Sequence, residues 1–389
     1  MKNLYVLLLC MCSLAGFAQP NPIEIKIDPK NMPEGDLRMS DLIESIEYIP
    51  LETTDESILD DNLVYDLNDN HVVAGYYNGE AVCLFNHKGK FVRTIGQKGA
   101  GPEEYLYISQ LFIDPNNRYI IVIDGLKKIY YNMEGKFLYS SPLSVDNRDR
   151  KNELFFREQF LRVAESYLYR DSSYYVFEIE DAKGKIIKQA VRSVLVPKLD
   201  NKEFRLSFAT HNIDCSYVYK NEPHVREVLN DTIYRIDGVN NFIPKYVIHL
   251  GKYKITPDMQ GNVTHYWELT ENCFVIKRIV ETSRYLLMDC AYKNNKLYCY
   301  YDKQKKRMFR FLCKTGFPND FDGGVNMDYP EQENNMFHTY FPVEQFLDSQ
   351  QQSKLEPRGP QSAVRAFEKL VKKVDPDDNP IIMIVKLKE

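Results

Sequence analysis

Four oxygen-bearing side chains surround the pair Gly323-Gly324. They are Asp320, Asp322, Asn326 and Asp328. Alternating oxygen ligands around a glycine turn can hold Ca²⁺, although this spacing lacks the terminal Glu of an EF-hand loop. The same pattern suits a turn whose aspartates bond to nearby backbone, which is the interpretation we favour. If calcium binds as a cofactor, its candidate ligands are Asp320, Asp322 and Asp328.

Linear motifs for other chemistry are missing. The seven histidines form no His-x-His or His-Glu-x-x-His pattern, and there is no Gly-x-Ser-x-Gly sequence. The sequence therefore does not identify catalytic residues, and they stay unknown. This exclusion is weak for folds that gather single residues from several repeats around one channel.

Cysteines offer one candidate disulfide. Two of the eight lie in the first 18 residues, and the other six form no Cys-x-x-Cys pair. If 284–293 and 296–302 are strands joined by a turn at Asn294-Asn295, Cys290 faces Cys299 in a non-hydrogen-bonded pair. Their α-carbons would then lie roughly 4.5 to 5.5 Å apart, within disulfide range. Two reduced cysteines packed as small hydrophobic residues are the alternative.

A glycine-rich segment at 96–105 matches neither a P-loop nor a dinucleotide fingerprint. It lies between two runs of strand-forming residues, which favours a structural connection over a ligand site. We expect Glu104 to accept backbone N–H bonds there. The residues predicted to form this loop are Gly96, Gly99, Gly101, Pro102, Glu104 and Tyr105.

These residues must be positioned by strands, because a turn pattern recurs between short apolar runs. Asn86, Asn132 and Asp181 each precede a Gly-Lys pair by three residues, at spacings of 132 − 86 = 46 and 181 − 132 = 49. Repeats of that length, built from hairpins without helical periodicity, are typical of propeller blades. We predict an all-β, six-bladed β-propeller with four-stranded antiparallel blades.

The predicted blades follow one another along the chain. The first five span about 62–95, 108–142, 155–191, 204–250 and 273–313. Residues after 324 are too few for four strands, so we expect the run 46–51 to close the ring as the outer strand beside the C-terminal run 380–387. One helical insertion is expected near 362–374, with Ser362 as its N-cap.

Residues 1–18 have the features of a cleaved signal peptide: a positive Lys2, an apolar core, and small residues before a cleavage site after Ala18. Cys10 and Cys12 suggest a lipoprotein, but the small residues that favour lipid attachment do not precede them. We expect residues 19–389 to form a single, monomeric propeller domain without a transmembrane segment, in the periplasm or outside the cell. The net charge of −5 and scattered basic residues argue against nucleic-acid binding.

Several stretches resemble one family of propellers. They are 40–53, 95–105, 229–236, 320–324 and 379–388. The family consists of secreted six-bladed β-propellers of gut-dwelling Gram-negative bacteria, related to NHL-type and TolB-like propellers. The resemblance implies the fold and no reaction. Where the family has Gly-Pro-Gly-Glu-Tyr, this chain has Glu103 in place of the second glycine.

Two functions follow as hypotheses. The first is a non-catalytic module that binds a glycan, a peptide or a partner protein through its channel mouth or loops, which the many Tyr and Phe residues favour. The second is a metal-dependent hydrolase or lyase with a central calcium site, supported by the Asp-rich turn.

Overall fold

The strands form antiparallel groups joined by short turns. A computed structural model describes residues 21–142, 152–156, 159–168, 172–181, 185–194, 215–226, 230–237, 241–256, 270–311, 318–327, 331–333, 335–352 and 356–388. The predicted signal peptide 1–18, Asp328 and Cys313 lie outside them. The N-terminal elements are β1 (Ile23–Lys26), β2 (Glu34–Gly35), the short helix α1 (Met39–Leu42) and β3 (Ile43–Pro50).

Three four-stranded antiparallel sheets follow in chain order. Group I comprises β4 (Leu63–Leu67), β5 (His71–Tyr76), β6 (Val82–Asn86) and β7 (Phe91–Ile95). Group II comprises β8 (Gln110–Ile113), β9 (Ile120–Ile123), β10 (Lys127–Tyr131) and β11 (Phe137–Pro142). Group III comprises β12 (Asn152–Phe156), β13 (Gln159–Leu168), β14 (Ser172–Glu180) and β15 (Ile186–Val194).

The later groups carry additional elements. Group IV comprises β16 (Cys215–Tyr219), β17 (Glu222–Arg226), β18 (Thr232–Ile236) and β19 (Phe242–His249), followed by a 3₁₀ turn at Gly251–Tyr253. Group V comprises β20 (Val275–Glu281), β21 (Tyr285–Tyr292), β22 (Asn295–Asp302) and β23 (Arg307–Phe311). Group VI comprises β24 (Glu331–Glu333), β25 (Met336–Phe341), β26 (Ile381–Leu387) and β3.

The third strand and the last strand of the described residues meet in group VI. β3 pairs antiparallel with β26 from Pro50 opposite Ile381 to Ile43 opposite Leu387, and forms the outer edge of the group. The predicted pairing of these two segments is confirmed.

The N-terminal segment also covers two other edges, which the sequence analysis did not predict. β1 pairs in parallel with β19 on the outside of group IV, and β2 pairs in parallel with β23 on the outside of group V. Unpaired edges template aggregation, so these added strands protect both sheets.

The recurring Asn-x-x-Gly-Lys pattern has a local physical cause. The side-chain oxygen of Asn86 accepts N–H bonds from Lys88 and Lys90, and that of Asn132 accepts from Glu134 and Lys136 in the equivalent turn of group II. Gly89 has φ +76°, which favours glycine. A Cβ at Gly89 would lie 2.1 Å from the carbonyl oxygen of Pro50 in the outer strand of group VI. The turn therefore closes a hairpin of group I and also packs against the outer strand of group VI.

Apolar cores lie between consecutive groups. The core between I and II includes Val73 and Ile129, that between IV and V includes Ile233 and Met288, and that between V and VI includes Leu287. Another core joins group VI to group I through Ile49, Ile382 and further residues. Because the groups joined by these cores bury their faces against their neighbours, their stability depends on stacking.

Two helices, α2 (Val343–Gln352) and α3 (Gln361–Val371), lie between β25 and β26. The helix expected near 362–374 is present as α3, but Ser362 is not its N-cap, and a second helix, α2, precedes it. Pro360 occupies the N-cap with no side-chain cap bond, and Ser362 lies within the first turn. Proline is suited to a helix start because its φ is already helical and it has no N–H to satisfy.

Candidate functional site

A buried carboxylate lies where groups IV, V and VI meet. Glu281, at the end of β20, is 1% exposed. Its Oε1 accepts hydrogen bonds from Tyr246 at 2.6 Å and from Lys303 at 2.7 Å. Its Oε2 accepts bonds from Tyr217 at 2.9 Å and from Lys245 at 3.0 Å. Both oxygens are therefore satisfied by donors from two groups of strands.

The backbone of Glu281 is tied to group VI. Its N–H donates to Oε1 of Gln332 at 2.9 Å, and its carbonyl oxygen accepts from Nε2 of Gln332 at 2.6 Å. A single parallel bridge between Val218 and Glu333 joins groups IV and VI nearby. The site is thus held by the first strands of three groups.

Strand alternation explains how the partners converge. Tyr217 on β16 lies opposite His224 on β17, so both side chains lie on one face of group IV. Their rings are parallel, with centroids 4.9 Å apart. Nε2 of His224 lies 2.8 Å from Nζ of Lys245. We call Tyr217, His224, Lys245, Tyr246, Glu281 and Lys303 the Glu281 cluster.

Glu281, His224 and Tyr246 each keep one protonation state near neutral pH. Burial alone would raise the pKa of Glu281, but the ammonium groups of Lys303 and Lys245 lower that pKa to about 2. Burial, aided by the charge of Lys245, lowers the pKa of His224 to about 3. Burial and the neighbouring carboxylate raise the pKa of Tyr246. At neutral pH Glu281 is ionised and His224 is neutral.

Three lysines converge on one tyrosine ring beside the cluster. The Nζ atoms of Lys245, Lys303 and Lys220 lie 4.9, 5.4 and 5.5 Å from the ring centroid of Tyr219. Lys220 is exposed, whereas the side chains of Lys245 and Lys303 are 26% and 16% exposed. Ammonium groups this close to a ring make cation–π contacts, and they also repel one another.

Arg226 adds a further buried cation. It is 4% exposed and lies two residues after His224, on the same face of β17. Its Nε and Nη1 atoms are buried without a hydrogen-bond partner in the part of the chain that the structure describes. A buried guanidinium group usually has an anionic or carbonyl partner.

The predicted calcium ligands Asp320 and Asp322 lie in a separate turn between groups V and VI. Asp320 accepts bonds from the N–H of Ser40 at 2.9 Å and from its hydroxyl at 2.6 Å. Oδ1 of Asp322 accepts from Asn319 at 2.7 Å and from the N–H of Gly324 at 2.9 Å. Burial raises the pKa of Asp322.

No group of three or more acidic, Cys or His side chains suited to a metal occurs among the described residues. The third candidate ligand, Asp328, is not among them. The calcium hypothesis therefore stays a prediction.

The glycine-rich loop connects groups I and II. Oε2 of Glu104 accepts from the N–H of Gly101 at 2.7 Å, and its Oε1 accepts from Gln97 at 2.7 Å. A Cβ on Gly99 would lie 2.0 Å from Oε2 of Glu104. The carboxylate therefore occupies the space that a side chain would need.

Neighbouring strands hold the rest of this loop. Tyr105 is fully buried, and its hydroxyl oxygen accepts from the N–H of Val82 at 3.0 Å. Lys127 donates to the carbonyl oxygens of Gly101 and Pro102 at 2.6 and 3.4 Å. Gly96 has φ +62°, whereas Glu103 is not among the residues with positive φ.

Cys290 and Cys299 do not face each other. The register places Cys290 opposite Leu297 and Cys299 opposite Met288, and both side chains are buried. The predicted register is wrong because the tight turn is centred on Lys293 and Asn294, which both have positive φ. Diagonal residues lie roughly 7 to 8 Å apart, beyond the reach of a disulfide.

The sequence analysis missed the Glu281 cluster because its members are far apart along the chain and come from different strands of groups IV and V. The only local signal is Lys220-Asn221, a tight turn with φ +53° and +58° that presents Lys220 at the cluster. Such turns are common in hairpins, so this signal does not identify a site.

One family model matches nearly the whole described chain. It is the model for "Domain of unknown function (DUF4934)" and covers residues 22–386. No curated protein matches the sequence.

Solved structures show the kind of fold. A crystal structure described as a "putative exported protein" from Bacteroides fragilis is similar over 95% of this chain and 100% of its own, with 22% identity and a TM-score of 0.66. A DUF4221 member from Bacteroides vulgatus has 10% identity and a TM-score of 0.49, covering 89% of this chain and 97% of its own. The Pan2 WD40 domain of Neurospora crassa has 10% identity and a TM-score of 0.37, covering 84% of this chain and 89% of its own. The first similarity shows a shared fold, and the other two carry no argument.

Across the described ranges, no helix has the length and apolar character needed to cross a membrane.

Proposed function

Since the chain belongs to the DUF4934 family, whose description assigns no activity, we propose a function from its own residues. The protein is an exported six-bladed β-propeller that binds a glycan, a peptide or a partner protein without catalysing a reaction. The four-stranded groups, stacked through apolar cores that include one between groups VI and I, support the six-bladed ring. The relation to NHL-type and TolB-like propellers is part of this proposal.

Export is proposed from the N-terminal signal. Residues 1–18 are removed after Ala18, and residues 19–389 act as one propeller in the periplasm or outside the cell. The similarity to a Bacteroides fragilis structure whose description includes the word "exported" supports this assignment.

Binding is favoured over catalysis by one observation, which is that Glu281 and His224 each keep a fixed protonation state. General acid–base catalysis requires a group whose pKa lies near the working pH. The pKa values of Glu281 and His224 lie at about 2 and about 3, so neither exchanges protons near neutrality. The cluster is suited to presenting fixed charges.

The experiment combines binding and product analysis. The mature protein is titrated calorimetrically with a panel of soluble glycans and peptides, and each mixture is then analysed by chromatography. Retention of an unchanged ligand supports the proposal. New reducing ends, unsaturated sugars or peptide fragments would establish an enzyme instead.

The second candidate is a calcium-dependent hydrolase or lyase. The Asp-rich turn is the observation that favours it, and its test is the calcium experiment described in the Discussion.

A further inference from the structure

The charges around Tyr219 do not balance. The ammonium groups near its ring are those of Lys220, Lys245 and Lys303. Glu281 forms ion pairs with Lys245 and with Lys303. Among the described side chains that contact this ring or its lysines, three ammonium groups therefore share one carboxylate.

Mutual repulsion of the lysines has a measurable consequence. The pKa of Lys303 is lowered by burial and by the charges of Lys245 and Lys220, against the opposing effect of Glu281. A group of like charges held together by the fold is stabilised when an anion joins it.

The ammonium groups also keep hydrogen-bonding capacity. Each carries three N–H donors. Lys303 bonds to Glu281 and to the carbonyl oxygen of Thr282, and Lys245 contacts Glu281 and Nε2 of His224. Within the described part of the chain, each of these two lysines has one N–H left, and Lys220 makes no hydrogen bond there.

We propose that Lys220, Lys245 and Lys303 form a binding site for an oxyanion group, that is, a carboxylate, sulfate or phosphate. The inference rests on the proposed binding function and names the chemical class of its ligand. Lys220 is the exposed entrance to the site, and Lys245 and Lys303 are its partly buried wall.

Arg226 supports this assignment independently. Its guanidinium nitrogens Nε and Nη1 are buried without a partner among the described residues, on the face that carries His224. Unpaired buried cations are costly unless an anion compensates them. A bound oxyanion beside the cluster lowers that cost through charge.

The experiment uses the mature protein and three probes at low ionic strength. Inorganic sulfate, N-acetylglucosamine 6-sulfate and neutral N-acetylglucosamine are each titrated by calorimetry. The variants are Lys220→Gln, which changes an exposed side chain, and Lys303→Gln, with folding checked by thermal melting. The matched control is Lys252→Gln, because the Nζ atom of Lys252 lies 5.4 Å from the ring centroid of Tyr253 and no second lysine of the described residues makes such a contact with that ring.

We expect sulfate or the sulfated sugar to bind and the neutral sugar not to. Lys220→Gln weakens binding about fivefold and Lys303→Gln about tenfold or more, since the latter lysine is more buried. Lys252→Gln leaves the affinity unchanged. Binding of inorganic sulfate with equal affinity to the sulfated sugar identifies a free ion as the ligand, and tighter binding of the sugar identifies an anionic glycan.

Absence of binding by both anionic probes, or equal binding by the wild type and Lys220→Gln, overturns the inference. A neutral glycan from the panel that binds the wild type and both variants equally also overturns it, but leaves the proposed binding function intact. Cleavage of a panel ligand removes the proposed function even if sulfate binds.

Discussion

The hydroxyl oxygen of Tyr246 lies 2.6 Å from Oε1 of Glu281, and both residues are almost fully buried. A tyrosine of group IV thereby donates to a carboxylate of group V across their shared interface. This hydrogen bond makes the stability of the interface between groups IV and V depend on the Glu281 cluster.

Replacing Tyr246→Phe should therefore destabilise the protein. The change removes one donor from a buried, ionised carboxylate, which we expect to lower the free energy of unfolding by about 1 to 3 kcal/mol. Urea denaturation measures it. Tyr253→Phe is the control, since the Tyr253 hydroxyl has no hydrogen bond within the described residues, and it should change stability by less than about 0.5 kcal/mol. Equal effects in both variants would contradict the assigned role of the bond.

Acid should destabilise the protein in two stages. Burial lowers the pKa of His338 to about 4 and, together with the charge of Lys245, that of His224 to about 3, so the unfolded chain takes up protons below the ordinary histidine pKa of 6.5 before the folded protein does. Stability is therefore fully present above that value and falls as the pH falls towards 4. The lowered pKa of Glu281, about 2 against an ordinary 4.5, extends the loss below pH 4.5.

His338→Gln tests the first stage. The wild type should lose about 2 kcal/mol from this residue between pH 7.5 and 5, and the variant should not show that part of the loss. His87→Gln, at an exposed turn, is the control and should keep the full loss. If His338→Gln and the wild type have the same pH dependence, His338 is not buried in the neutral form.

The repeated turn can be tested at Gly89. Gly89→Ala must adopt positive φ and places a Cβ 2.1 Å from the Pro50 carbonyl oxygen, so we expect a loss well above the roughly 1 to 2 kcal/mol that left-handed backbone costs alone. Gly251→Ala is the matched control: φ is +53°, and nothing lies within 4 Å of its Cβ. Thermal melting of both variants separates the cost of the left-handed backbone from the cost of the steric contact with the Pro50 carbonyl oxygen. Similar losses would show that the contact with group VI does not restrict residue 89.

The aspartate turn gives a test of the calcium hypothesis. Because Asp320 and Asp322 are already hydrogen-bonded within the protein, we expect millimolar calcium and a chelator to leave the melting temperature unchanged. Ser40→Ala should still destabilise by about 1 kcal/mol, since it removes the 2.6 Å bond to Asp320. A calcium-dependent rise in melting temperature that Asp320→Asn abolishes would establish the metal site instead.

Much of the strand pattern could be predicted because its signals are local. Turns after Asn86 and Asn132 combine side-chain caps with glycine at positive φ, and the flanking runs alternate as strands do. The pairing of β3 with β26 followed from a shortage of strands at the C-terminal end. These arguments need only neighbours in sequence and a count.

The features that could not be predicted depend on contacts between residues far apart in sequence, or on a shift of one residue in a turn. The parallel edge strands β1 and β2 are too short to show alternation, and their partners are set by tertiary packing. The register of Cys290 turned on whether the turn was centred at Lys293-Asn294 or Asn294-Asn295, one residue apart in similar sequence. Glu281 looked like any acidic residue after a strand, since its partners come from other groups.

The edge strands near the N-terminus impose an order on maturation. Glu24 contacts His249, 225 residues later, and Glu34 contacts Arg310, 276 residues later. A ribosome must therefore synthesise the chain past His249 and past Arg310 before these early segments can pair with their partners. Such long-range contacts slow folding, because the ends of a long intervening chain must be brought together before the strands can pair.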